Sequence, residues 1–246
     1  MGDKILSLKN ITAGYGEQII IKDICIDVRR SEIVSVIGSS GVGKSTLFNV
    51  IAGLLRPVDG KVILNGQDVT GISGNVSYML QKDLLLPFKT VGENIALPLM
   101  IRGMRKKEAL NKVSELLPTF GLENCLNVYP SSLSGGMRQR AALLRTYMMD
   151  GQVSLLDEPF SALDSLSKNK MHDWFLDLLK KIDLSAVLIT HDIDEALKLS
   201  DRICLLKGRP AGIDSVFDVS VPREKRTTTC PDLLVIKEEI LNRLGD

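Results

Sequence analysis

The sequence has little of several things, and each shortage closes off a class of function. It has no surplus of charge: 31 lysines and arginines against 30 aspartates and glutamates leave a formal net charge of +1. Binding duplex nucleic acid through its phosphates calls for a clearly basic face, so the balance argues against a nucleic-acid partner. The four cysteines, Cys25, Cys125, Cys204 and Cys230, are scattered, with no C-x-x-C pair and no histidine cluster nearby. That spacing points to neither a zinc site nor a disulfide framework, and implies reduced, structural thiols in a cytosolic protein. No apolar run approaches the roughly 18–20 residues that cross a bilayer. The stretch Ile95–Ile101 is short and is broken by Pro98. If the chain serves a membrane, the span lies on another chain. The start, Met1-Gly2-Asp3-Lys4, lacks an apolar signal core, and Leu6 stands where a myristoylation signal carries Ser or Thr. No internal repeat, low-complexity tract or sustained heptad is present.

What is there reads as an ordinary globular composition, 44% hydrophobic and 25% charged over 246 residues, ample for a buried core. Ile5–Leu8 and Ile19–Ile26 read as strands, and Ile33–Ile37 as a short buried parallel strand ending at Gly38. Leu47, Phe48, Val50, Ile51, Leu54 and Leu55 then recur at helical spacing over Thr46–Leu55. From about Val91 to Asp150 the pattern is helical, with one clear amphipathic stretch over Arg105–Phe120 and a stop at Gly121. Alternation then resumes: strands Val153–Leu156, Ala186–Ile189 and Ile203–Leu206, helices from Asp164 and Asp192, and a final helix Leu233–Leu244. Strand–helix alternation around a helical middle implies an α/β core with a helical insertion.

Three segments carry chemistry. Gly38-Ser39-Ser40-Gly41-Val42-Gly43-Lys44-Ser45-Thr46 satisfies G-x-x-x-x-G-K-[ST] between a strand and a helix. Its glycines let backbone amides converge on phosphate oxygens, and the helix start adds a partial positive charge. In that frame Lys44 reaches the β- and γ-phosphates, and the Ser45 hydroxyl ligates Mg²⁺. Val153-Ser154-Leu155-Leu156-Asp157-Glu158 is an apolar strand ending in two carboxylates, where α/β sheets bind ligands. Asp157 suits the Mg²⁺ shell and Glu158 the polarisation of attacking water. Leu133-Ser134-Gly135-Gly136 opens a basic helix: Ser134 can cap it, and two glycines leave its first amides accessible to a second phosphate.

The combination of GSSGVGKST, LSGG and VSLLDE, in this order over nearly the whole chain, resembles the nucleotide-binding subunit of ABC transporters. The resemblance implies a P-loop NTPase (RecA-like) α/β core with an antiparallel β subdomain and an inserted α-helical subdomain. Residues 1–88 and 151–246 would form the core and 89–150 the helical part with the signature. It further implies that Tyr15 stacks on adenine and that Gln81 touches Mg²⁺ and senses the permease. Asp164, in Ser161-Ala162-Leu163-Asp164, would couple two sites across a dimer, and His191 would contact the γ-phosphate. The other histidine, His172, lies in a helical pattern with no motif around it and reads as structural or surface. Met137 replaces the glutamine commonest after LSGG, as in many importers. ATP clamped between two copies, a separate integral-membrane permease, an extracytoplasmic solute-binding protein and a place at the cytoplasmic face of the membrane all follow from the resemblance. Leu86–Val91, Asp157–Asp164 and the tail from Val221 are similar to importers of the nitrate, sulfonate and taurine group. The sequence ends without the added regulatory domain of sugar-importer ATPases. Leu84-Leu85-Leu86-Pro87-Phe88 reads either as a core-bound loop or as a groove for a permease helix. An exporter subunit shares all the site chemistry. A soluble cassette of DNA repair or translation would carry coiled-coil insertions or two cassettes, and a GTPase would carry an N/TKxD motif; neither is present.

Overall fold

The computed structural model describes residues 3–227 and 229–245, so the Met1-Gly2 start lies outside the described residues. In chain order the first half contains β1 (Lys4–Tyr15), β2 (Gln18–Arg29), β3 (Ile33–Ile37), α1 (Lys44–Ile51), β4 (Asp59–Leu64), β5 (Gln67–Asp68), β6 (Ser77–Met79), α2 (Val91–Ile101) and α3 (Lys106–Leu116). The second half contains α4 (Gly135–Tyr147), β7 (Ser154–Asp157), α5 (Ser165–Leu179), β8 (Ala186–Ile189), α6 (Ile193–Leu199), β9 (Arg202–Gly208), β10 (Ala211–Asp218) and α7 (Pro231–Gly245). These elements form two compact units. The first takes the chain up to Val76, Gln152–Glu158 and everything from Leu184; the second takes Ser77–Gly151 and Pro159–Asp183.

In the first unit the strands run β5-β4-β1-β2-β10-β9-β3-β8-β7. β1 pairs antiparallel with β2 and β4, whereas β3 pairs parallel with both β8 and β9, and β7 with β8. All five residues of β3 are buried, as an apolar IVSVI run covered on both faces must be. Each fully buried Val or Ile there contributes about 1.5–3 kcal/mol of apolar transfer. The register sets Val36 opposite Ile189, and Ile189 opposite Asp157. The carboxyl ends of β3, β8 and β7 therefore stop level with one another, and the segments that follow them leave from one edge.

The second unit is mostly helical. Thr90 and Glu93 form a reciprocal capping box at the start of α2. The buried Asn94 side chain accepts from the Leu86 amide (2.6 Å) and donates to the Leu86, Lys89 and Thr90 carbonyls, which fixes the loop before the helix. Phe120 packs against Tyr147 and Trp174, and the Arg140 guanidinium lies 4.6 Å over the Trp174 ring.

One sequence expectation shifts, and one element is new. The helix expected to reach Leu55 ends at Ile51, because Gly53 turns left-handed (φ +71°) and its α-carbon faces the Ile72 backbone. The hairpin β4–β5 was not anticipated, although Asn65-Gly66, both at positive φ, is the turn such hairpins favour. A Cβ at Gly53 would lie 2.4 Å from the Ile72 carbonyl. Gly53→Ala is therefore expected to lower unfolding free energy by about 2 kcal/mol or more in urea titration; an unchanged midpoint would contradict this packing.

Candidate functional site

The edge where β3, β8 and β7 end collects most of the candidate residues. Between β3 and α1 the chain folds back as the loop 38–43. A Cβ on Gly38 would meet the Leu206 carbonyl oxygen at 2.4 Å, and one on Gly43 (φ +121°) would meet the Ile21 methyl at 2.7 Å. Only glycine lets the loop lie this close to β9 and β2. Ser39, Ser40 and Gly41 are exposed, and Val42, Gly43 and Thr46 are buried beneath them. α1 starts at Lys44 with Gly43 as its cap residue and no side chain capping it. Its first amides thus depend on some other acceptor, and an anion supplies one.

Lys44 is buried and donates to the Gly38 carbonyl (2.8 Å) and the Ser39 carbonyl (3.0 Å). An ammonium has three N–H donors, so one remains for a ligand. Burial pushes the Lys44 ammonium below the ordinary lysine value, while Glu158 and then Asp157 pull it back up. The cation is thus partly desolvated and sits in the field of both carboxylates.

Glu158 follows Asp157 out of β7 and donates its backbone amide to the Ile189 carbonyl (2.9 Å), at the end of β8. Its φ is +45°, a left-handed conformation that a glutamate adopts only when its surroundings impose it. The turn aims the carboxylate at His191: Glu158 Oε1 lies 3.1 Å from His191 Nδ1. The imidazole itself is half exposed, whereas the Glu158 side chain is largely covered. Asp192, next in sequence, caps α6 by accepting from the Glu195 amide (3.1 Å). Tyr15, at the end of β1, is 54% exposed, and its hydroxyl accepts from Asn49 on α1 at 3.3 Å. Such an exposed ring has surface available for stacking.

The remaining candidates, Gln81, Ser134, Gly135, Gly136 and Asp164, belong to the second unit. Gln81 is exposed in the loop after β6. Exposed Ser134 caps α4, its hydroxyl accepting from the Met137 amide at 3.3 Å. Asp164 caps α5 by accepting from Ser167 (3.0 Å), and hydrogen bonds from Ser167 hold its carboxyl below the usual range. A Cβ on Gly135 would touch Leu163 at 3.5 Å, so the loop before α5 and the start of α4 are neighbours. His172 is buried with its ring edge-on to Phe160, in keeping with a structural role.

The apolar loop after Gln81 divides in two. Leu85 is only 8% exposed and belongs to the core, so it is removed from the groove reading, whereas Leu84 (52%) and Phe88 (71%) lie open. Two arginines that sequence reasoning passed over hold this loop. Arg145 of α4 donates to the carbonyls of Asp83 (2.5 Å) and Leu84 (2.9 Å), and Arg138 pairs with the Asp83 carboxylate at 3.3 Å. Some sixty residues separate the partners, so no local signal announces the contact.

The sequence profile of the ABC transporter family matches residues 21–161. The chain belongs to that family. It is 40% identical over 233 residues to a formylaminopyrimidine import ATP-binding protein of Halalkalibacterium halodurans, covering 93% of this cassette and 90% of the relative. An aliphatic sulfonates import ATP-binding protein of Burkholderia cenocepacia is 38% identical over 224 residues, covering 90% and 82%. Among solved structures, the dimeric post-hydrolysis state of an ATP-binding cassette bound to ADP and Pi superposes with a TM-score of 0.71 at 30% identity, covering 87% of this chain and 98% of that one.

The left-handed turn yields a stability test on the cassette. Glu158→Gly should unfold at higher urea than Glu158→Ala, by about 1 kcal/mol, because only glycine is at ease at this φ. An alanine variant as stable as the glycine variant would show that the turn is unstrained.

Proposed function

We propose that this chain is the ATP-hydrolysing subunit of a solute importer, driving a separate membrane permease by closing on ATP as a dimer. The observation that carries the reading is the single sheet edge on which a buried lysine, two carboxylates and a carboxylate-bound histidine converge. Phosphoryl transfer asks for this: positioning and charge neutralisation more than covalent help from the protein.

In this reading Gly38 to Thr46 wrap the β- and γ-phosphates with backbone amides, and the remaining N–H of Lys44 points to an oxygen between them. Magnesium fits the residues present. Ser45 offers an exposed hydroxyl on the first turn of α1 and Asp157 a half-buried carboxylate at the end of β7. A hydroxyl and a carboxylate are hard oxygen donors of the kind magnesium takes. When bound, the ion neutralises phosphate charge as the γ-phosphoryl group leaves. Family resemblance supports Gln81 as a further oxygen donor and as the residue that senses the permease. Glu158 takes a proton from the attacking water, and His191 steadies the carboxylate and faces the γ-phosphate. Tyr15 stacks on adenine.

Ser134, Gly135 and Gly136 present a second helix start for the γ-phosphate of ATP held by another copy of the chain, with Asp164 at that junction. The similar cassette that is dimeric with ADP and Pi bound supports dimer formation. The import names of the relatives support import, a permease partner and attachment at the cytoplasmic face of the membrane. No helix among the described residues is long and apolar enough to span the bilayer itself. A solute-binding protein outside the cell completes the system. Phe88 and Leu84 are the apolar groups available to a permease helix.

Replacing Glu158 with Gln tests the reading. Turnover should fall by about a hundred- to ten-thousandfold while nucleotide still binds. A variant hydrolysing at the normal rate would remove Glu158 from its role. Phe88→Glu should abolish the stimulation of ATPase activity by the permease in reconstituted vesicles; full stimulation would move the docking surface elsewhere.

A further inference from the structure

Behind the site, the buried side chain of Arg226 gathers backbone oxygens from two directions. Its Nε and Nη2 donate to the carbonyls of Val221 (2.8 Å) and Val219 (3.1 Å), on the irregular segment that follows β10. Its Nη1 donates to the carbonyls of Ser200 (2.6 Å), Lys198 (3.3 Å) and Leu197 (3.5 Å), the closing turn of α6. A guanidinium has five N–H donors in a planar fork, and no other side chain can serve this set of acceptors. Burial pushes Arg226 down to about 10, with Asp201 opposing.

What it holds is α6. The helix is capped by Asp192, the residue after His191, and runs seven residues from Ile193 to Leu199. Its far end is tied to β3: the Asp201 amide donates to the Ile33 carbonyl (2.8 Å), Asp201 accepts from the Ile33 amide (2.9 Å), and Ser200 and Ser35 share a hydrogen bond. Ala196 and Leu197 pack with Ile37, the last residue before the phosphate loop, and with Val219 and Val221. At the near end, Lys237 of α7 pairs with Asp194 in the first turn at 2.6 Å. The segment after β10 therefore grips the helix that follows the histidine.

We propose that Arg226 is a positioning residue for hydrolysis, locking α6 so that His191 meets Glu158; this rests on the role given to His191 above. Arg226 touches neither nucleotide nor the reacting atoms. Its effect passes through the imidazole alone, and this separates it from a residue that merely holds the fold.

The test is a double-mutant cycle on steady-state ATPase activity with Arg226→Lys and His191→Ala, singly and together. Lysine keeps the charge but cannot fork to both groups of carbonyls. Arg226→Lys alone should lower kcat about three- to thirtyfold with KM for magnesium–ATP unchanged within twofold. In the His191→Ala background the same change should cost less than twofold. A loss that persists in full in that background, or a KM that rises with it, overturns the proposal. If His191→Ala alone leaves kcat intact, the role of His191 fails first and the clasp with it. Should Arg226→Lys not fold, amide exchange on the wild-type protein decides. Amides of 196–200 should open together with those of 219–226, and α6 opening independently of the tail contradicts the lock.

Discussion

A lysine ammonium withdrawn from water has to be surrounded by oxygen, and the architecture of this cassette is organised around that requirement. Lys44 lies buried at the start of α1, bonded to two carbonyls of the loop before it and in the field of two carboxylates. The same burial that costs the cation its hydration makes it a strong partner for a polyanion, because interactions in a low-dielectric pocket are weakly screened. A polyphosphate carries the charge and the oxygens such a pocket requires, and the uncapped amides of α1 add donors alongside.

The rest of the first unit supplies rigidity at that point. Parallel pairing in strict register brings the ends of β3, β8 and β7 level, so residues 44, 157, 158 and 191 converge from distant parts of the sequence without long loops. Backbone strain appears where chemistry needs a carboxylate turned off its strand: Glu158 is left-handed and its amide is fastened to β8. Behind the site, α6 is pinned at its closing turn by Arg226 and at its opening by Lys237. The energetics thus run from sheet register to side-chain position.

Much of this was legible in the sequence, because the decisive signals are local. A glycine loop between a strand and a helix, an apolar strand ending in Asp157-Glu158 and a Ser134-Gly135-Gly136 helix start each contain their own physical reason within ten residues. Recognition of the family rested on the same segments, and the profile match over residues 21–161 bears it out. What escaped was non-local. Nothing near Arg226 in sequence shows that its guanidinium reaches α6, about thirty residues away, and nothing near Arg145 shows that it holds the loop at Asp83. The alternation of a leucine run did not reveal that Leu85 points inward while Leu84 and Phe88 point out, because Leu84 takes a left-handed φ of +45°. The β4–β5 hairpin differs, because its signal is local: Asn65-Gly66, both at positive φ, forms the two-residue turn.

Central to the proposed function is a grip of the buried ammonium on the β- and γ-phosphates. Titration calorimetry of ATP and of AMP, both with magnesium, into Glu158→Gln protein and into the same protein carrying Lys44→Ala tests it directly. ATP should bind the first at least a hundredfold more tightly than AMP, and Lys44→Ala should erase most of that difference, because a charge-assisted contact of this kind is worth on the order of 2–3 kcal/mol. Equal affinity for ATP and AMP, or ATP binding untouched by Lys44→Ala, would contradict the reading of this edge as a phosphate grip.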